Sequence, residues 1–116
     1  MPRVFDEKEL LERVENDLEF LGETVQMLLI DGRKLMAEIR RAADSADAAA
    51  VGRAAHTLKG MISNFCSPGT HTHALAVERM GREQDLTAAP PALDALETSL
   101  DALIEDLNDF LNTTRA

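Results

Sequence analysis

Ala54-Ala55-His56-Thr57-Leu58-Lys59-Gly60 lies near the middle of the sequence, and its reading decides the rest of the chain. Written as a helix, it starts an apolar stripe of Ala55, Leu58, Ile62 and Phe65 at steps of 3, 4 and 3. His56, Lys59 and Gly60 fall on a separate face, because positions one turn apart are neighbours. Core and chemistry therefore occupy different sides of one helix. That helix runs from about Asp47 to Phe65, with Asp44-Ser45-Ala46-Asp47 supplying a break and a new N-cap. Ser67-Pro68-Gly69 is expected to stop it, since proline is poorly tolerated inside a helix and glycine suits a turn.

On the N-terminal side, Asp6 caps a short first helix carrying Leu10, Leu11 and Val14. Asn16 or Asp17 starts a long second helix of roughly 25 residues. Its seam is Leu18, Leu21, Val25, Leu28, Leu35, Ile39 and Ala42, with Gly32 the weak position. On the C-terminal side a fourth helix spans about Thr70 to Gln84, with a weaker stripe of Ala74, Val77 and Gly81. Thr87 to Pro91 forms a loop, with Pro90 or Pro91 near the first turn of the last helix. There Leu93, Leu96, Leu100, Leu103, Leu107 and Phe110 give the cleanest pattern in the chain. Long helices joined by short loops predict an all-α fold, an antiparallel up-down four-helix bundle with a short additional N-terminal helix. Residues 1–116 make one domain, long enough to bury a core.

Composition agrees with helices: hydrophobic residues are 45% and aromatics only 3%, so Ala and Leu do the packing. The formal net charge of -9 argues against nucleic acid, which needs clustered Lys and Arg. One cysteine makes no internal disulfide, which suits a reducing cytoplasm. The first residues lack the apolar run of a signal peptide, and no segment is apolar enough to span a membrane. A cytoplasmic monomer is the expectation.

Three histidines are present, His56, His71 and His73. Arg53 and Lys59 bracket His56 one turn either side. Two cations oppose protonation of the imidazole, favouring its neutral nucleophilic form, and attract a phosphoryl group placed on it. Gly52 and Gly60, each four residues away, are unfavourable in a helix interior by about 1 kcal/mol relative to Ala. Clearance for a partner explains them, and so does close helix packing; spacing does not choose. A metal site using Cys66, His71 and His73 is a weaker reading, because two helical positions two apart diverge. No glutamate precedes a histidine by three residues, so a di-iron bundle fails as well.

His56-Thr57-Leu58-Lys59-Gly60, with an Ala pair before it and Asn64-Phe65 after it, resembles the signature of histidine-containing phosphotransfer (HPt) domains. Val77-Glu78-Arg79-Met80-Gly81-Arg82 with Asp85-Leu86 resembles that family's second helical motif and the turn after it. The resemblance implies a phosphorelay intermediary that exchanges a phosphoryl group between receiver-domain aspartates and His56. Lys59 would steady the phosphoryl charge and Gly60 leave room for the receiver. Gly52, Arg53, Ser63 and Asn64 would line the docking surface. Its partners would be response-regulator receivers and a hybrid sensor histidine kinase. Mg²⁺ would sit on the receiver, with no intrinsic cofactor or metal and no autokinase activity. Two positions depart from the family: Met61, where Ser is frequent, and Cys66, where Gly is frequent. Cys66 reads as an inert buried thiol.

Since Met1 opens the sequence with no kinase or receiver segment, a free-standing carrier is expected. Met27 and Ile30 lie off the second helix's seam, either touching the receiver or packing under the first helix. The competing function is a helical interaction module without phosphotransfer, and the third is the metal-binding bundle.

Overall fold

The computed structural model describes residues 2–115. Asp6 caps α1 (Glu7–Arg13) by accepting the Glu9 amide, and Asp17 caps α2 (Leu18–Met27) by accepting that of Phe20. Each side-chain oxygen satisfies an amide that the helix leaves without a partner. From α2 the chain passes through one π-helical turn, Leu28–Gly32, into α3 (Arg33–Asp44), with helical backbone angles at both junctions. Together these form the single long helix expected from the seam. α4 (Ala48–Ile62) is capped by Asp47 and tightens into a 3₁₀ turn at Ser63–Phe65. α5 (Pro68–Arg82) and α6 (Ala89–Arg115) complete the bundle.

Cross-helix pairs show the antiparallel register. Between α3 and α6, Arg33 meets Asp101 while Arg40 meets Asp94 and Glu97. Between α4 and α5, Gly52 meets Gly81 while Lys59 meets Glu78. The molecule is an all-helical bundle with α1 as the extra helix, and no strand occurs among the described residues. Leu21, Val25, Leu58, Leu96, Leu100 and Leu103 are buried to 1% exposure or less in one continuous core. At roughly 1.5–3 kcal/mol per large side chain, this burial is the main term holding the helices together.

Three expectations need correction. The π turn holds one residue more than an α turn, so it rotates the following helix relative to the seam. Gly32 and Ile39 face inward as the seam expects, but Met36 takes the inward place of Leu35, which is only half-buried. The fourth helix starts at Pro68 rather than Thr70, because proline at the first helical position has no amide that needs a partner. Pro68 and Gly69 thus begin α5 and do not stop α4. The stop lies at Cys66, whose φ of 55° is left-handed. Finally, Met27 and Ile30 are 57% and 47% exposed, which removes packing beneath α1 as their explanation.

The N-terminal residues close one end of the bundle. Phe5 is buried edge-on against Phe110, with ring centroids 5.5 Å apart. Arg3 donates to Asp106 and Asp109 and lies over the Phe110 ring. Asp6 N–H donates to Cys66 O, and Ser67 Oγ donates to Val4 O at 2.6 Å. The segment is thereby tied both to α6 and to the turn between α4 and α5.

Candidate functional site

Val51, Ala55, Leu58 and Ile62 turn the apolar stripe of α4 into the core. His56 is left on the flank that faces α5, with 69% of its side chain exposed. Opposite it stands Glu78, which is only 2% exposed. Nδ1 of His56 lies 3.1 Å from Glu78 Oε2. An ionised carboxylate only accepts, so Nδ1 carries the hydrogen and donates it. The lone pair of the neutral ring is then on Nε2, the nitrogen that Glu78 leaves unengaged on this exposed side chain.

Glu78 has two further partners. Lys59 Nζ is 2.7 Å from Oε1, an ion pair and not an aligned hydrogen bond. Arg82, four residues along α5, donates to Oε2. Lys59 first, against the opposing effect of desolvation, and then His56 and Arg82 hold the Glu78 carboxyl below the usual carboxylate range. The buried group is therefore charged at neutral pH. The expected bracket of two cations is thus altered: Lys59 spends its charge on Glu78, and a carboxylate stands directly beside the imidazole.

Gly52, Arg53, His56, Glu78, Gly81 and Arg82 line a shallow groove of about 510 Å³ between α4 and α5. The two glycines differ in purpose. A Cβ built at Gly81 would strike the backbone nitrogen of Gly52 and come within 2.6 Å of its Cα. Glycine at 81 lets α4 and α5 cross closely, which brings Glu78 under His56. A Cβ at Gly52 would meet the Gly81 backbone only at 3.4 Å or more, an ordinary contact, so the crossing requires glycine at 81 and not at 52. Around Gly60, nothing lies within 4 Å of an added Cβ, so close packing does not explain it. Beyond it Ser63 and Asn64 are exposed, with Ser63 Oγ donating to Lys59 O and Arg13 donating to Ser63 O. Met27 and Ile30 lie on a neighbouring helix and do not line the groove.

The sequence reading singled out His56 and Lys59 and missed Glu78 as a site residue. A signal was present, because Ala74, Val77, Glu78 and Gly81 follow the i, i+3, i+4, i+7 spacing of a buried stripe. A glutamate in such a stripe demands a cationic partner. No three His, Cys, Asp or Glu side chains are arranged to hold a metal among the described residues, so Cys66, His71 and His73 make no metal site there. Burial pushes the Cys66 thiol up, in keeping with low reactivity. No described helix is long and apolar enough to cross a membrane.

Fold and groove define a helical bundle that offers one oriented imidazole at its surface. The Hpt domain family model matches residues 23–106, and the chain belongs to that family. It therefore has a histidine phosphotransfer role in two-component signalling, where Hpt domains are carriers and not kinases and interact with receiver domains and kinases. Comparison with curated proteins and with solved structures gives no match.

Proposed function

We propose that the protein is a phosphorelay intermediary in which His56 accepts a phosphoryl group from a receiver aspartate and passes it to another receiver. The observation that carries this reading is an imidazole 69% exposed whose Nδ1 is held by a buried carboxylate. Nε2 is the nucleophile. Its lone pair forms the P–N bond as the aspartyl P–O bond breaks, and the electron pair returns to the carboxylate. Positioning and electrostatics are most of what such a transfer requires. In this reading the receiver supplies the Mg²⁺ and this chain supplies the imidazole.

Arg53 and Arg82 flank the imidazole and complement an acidic receiver pocket. Gly60 leaves the approach open, with Ser63 and Asn64 beyond it. Met27 and Ile30 extend the docking surface as an exposed apolar patch on the neighbouring helix. The carrier acts as a cytoplasmic monomer between a hybrid sensor kinase and its receivers.

Incubation with a phosphorylated receiver and Mg²⁺, followed by mapping of acid-labile phosphate, tests this. Label is expected on His56 and is lost in His56→Gln. Met27→Asp and Ile30→Asp should slow transfer while leaving the fold intact. Label that persists in His56→Gln, or none from any receiver of the same organism, would leave a helical interaction module instead.

A further inference from the structure

We infer that the cleft between α3 and α4 is a second contact for the receiver, one that takes a carboxylate-bearing segment beside the receiver's phosphorylated pocket, with Arg41 as a specificity-determining residue. The inference rests on the proposed function and concerns a surface to which that reading gives no part. Small side chains make the cleft. Ala50, Ala54 and Thr57 share one face of α4, at steps of 4 and 3, and Leu35 of α3 lies across from them. The space left is about 390 Å³. Half-buried Leu35 and Ala54, packed on the core, form its floor, and exposed Glu38, Arg41 and Arg53 form its rim.

Charge on the rim points to a ligand. The chain carries 21 Asp and Glu against 12 Lys and Arg, and Arg3, Arg33, Arg40, Lys59 and Arg82 each take part in an ion pair. Arg40 and Arg41 are adjacent, yet they part company. Arg40 turns to α6, where Asp94 and Glu97 hold it, while Arg41 lines the cleft. Neither Arg41 nor Arg53 has a carboxylate within ion-pair distance among the described residues, although Glu38 lines the same cleft. Two guanidinium groups against one carboxylate leave this rim cationic on a molecule of net charge -9. Arg41 lies in the last turn of α3, where a cation suits the helix end. Arg53 lies inside α4 and has no such reason for its charge.

The position of the cleft names its occupant. Arg53 and Thr57 line it and also line the His56 groove, so the two surfaces run together over α4. A receiver that brings its aspartate to His56 therefore covers ground contiguous with Arg41. An Asp or Glu beside its pocket would close on guanidinium groups that suit bidentate carboxylate contacts, and a basic segment there would be repelled. Glu38 acts on the same segment in the opposite sense. Exposed charges of this kind change the rate of encounter more than the affinity, and salt weakens them.

A small molecule and a receiver give independent readings. Phosphoramidate, a small-molecule donor that phosphorylates imidazole nitrogen with release of ammonia, labels His56 without docking and reports on the imidazole and the fold. Transfer is timed, with Mg²⁺ and at carrier concentrations below saturation, from the phosphorylated receiver of the same organism that labels the parent fastest. Arg41→Glu should be slowed roughly three- to tenfold at low salt, and the difference should shrink at high salt. Arg41→Lys should keep most of the parent rate, and Glu38→Gln should exceed it. Phosphoramidate labelling should match the parent in all three.

Transfer within twofold of the parent in a folded Arg41→Glu would overturn the inference. So would a slowing that high salt leaves unchanged, one matched by slower phosphoramidate labelling, or a Glu38→Gln that slows as well. The cleft would then serve another partner or none, and the phosphotransfer reading would stand. Should Arg41→Glu fail to fold, Arg41→Gln decides, with a parent-like rate overturning the inference. A parent chain labelled on His56 by no receiver would sink both.

Discussion

A carboxylate at 2% exposure inside an apolar helix contact persists only if its charge is answered, and Glu78 is answered by Lys59, His56 and Arg82. The same accounting explains why Lys59 is better understood as the support of Glu78 than as a free cation beside the imidazole. Backbone strain follows a different single-residue rule. Glu15, Asn16, Ala46, Cys66 and Gln84 all have φ between 54° and 60°, and each lies just beyond a helix end. An L-residue there costs about 1–2 kcal/mol that glycine avoids. This accounts for glycine being frequent in the family where this chain has Cys66. At Ala46 the side chain is exposed and makes no hydrogen bond, so the backbone effect stands alone. Ala46→Gly should raise stability by about 0.5–1 kcal/mol after its extra unfolded-state entropy is counted. Urea denaturation would show it; a lower midpoint would mean that the left-handed position carries no strain.

Helices were the most legible level of this chain, since the spacing of the leucines in α6 needs no knowledge of partners. Less legible was whatever depends on two helices at once. The π turn at Leu28–Gly32 displaced Leu35 in favour of Met36, an adjustment a fixed period does not contain. Gly52 and Gly60 look equivalent in sequence, four residues either side of His56, and only the neighbouring helix separates them. One meets Gly81, and the other meets nothing. Substitutions at Gly81, whose added Cβ would strike the Gly52 backbone, and at Gly60 should diverge. Gly81→Ala forces α4 from α5, at a cost of roughly 2–3 kcal/mol of overpacking, and parts His56 from Glu78. Gly60→Ala should stabilise the helix by about 1 kcal/mol, whereas Gly60→Leu should leave the fold intact and slow receiver transfer. Thermal melts paired with phosphorylation rates would check this. A stabilised Gly60→Leu variant with full transfer would remove clearance as the reason for that glycine.

At the scale of the molecule, stability and chemistry occupy separate regions. The groove is built from the middle of α4 and the C-terminal half of α5, both inside the matched span of 23–106. The segment from Pro2 to Asp6 and α6 beyond Asp106 lie outside that span; Phe5 meets Phe110 and Arg3 meets Asp109 there, while Arg3 also reaches Asp106 at the span's last residue. The sequence reading found α1 through Asp6 but not the strap before it. Its hold depends on Arg3 reaching carboxylates 103 and 106 positions away, a pairing no local pattern discloses. This end of the bundle contributes packing and closure, and none of its residues lines the groove. Phe5→Ala should therefore lower stability by roughly 3 kcal/mol through loss of a buried aromatic ring. The rate of His56 phosphorylation, measured well below the unfolding transition, should stay at the parent value. Denaturation curves and phosphoramidate labelling on the same preparation give both quantities. A folded variant labelled several-fold more slowly would show that the strap acts on the α4–α5 crossing and that the two regions are coupled.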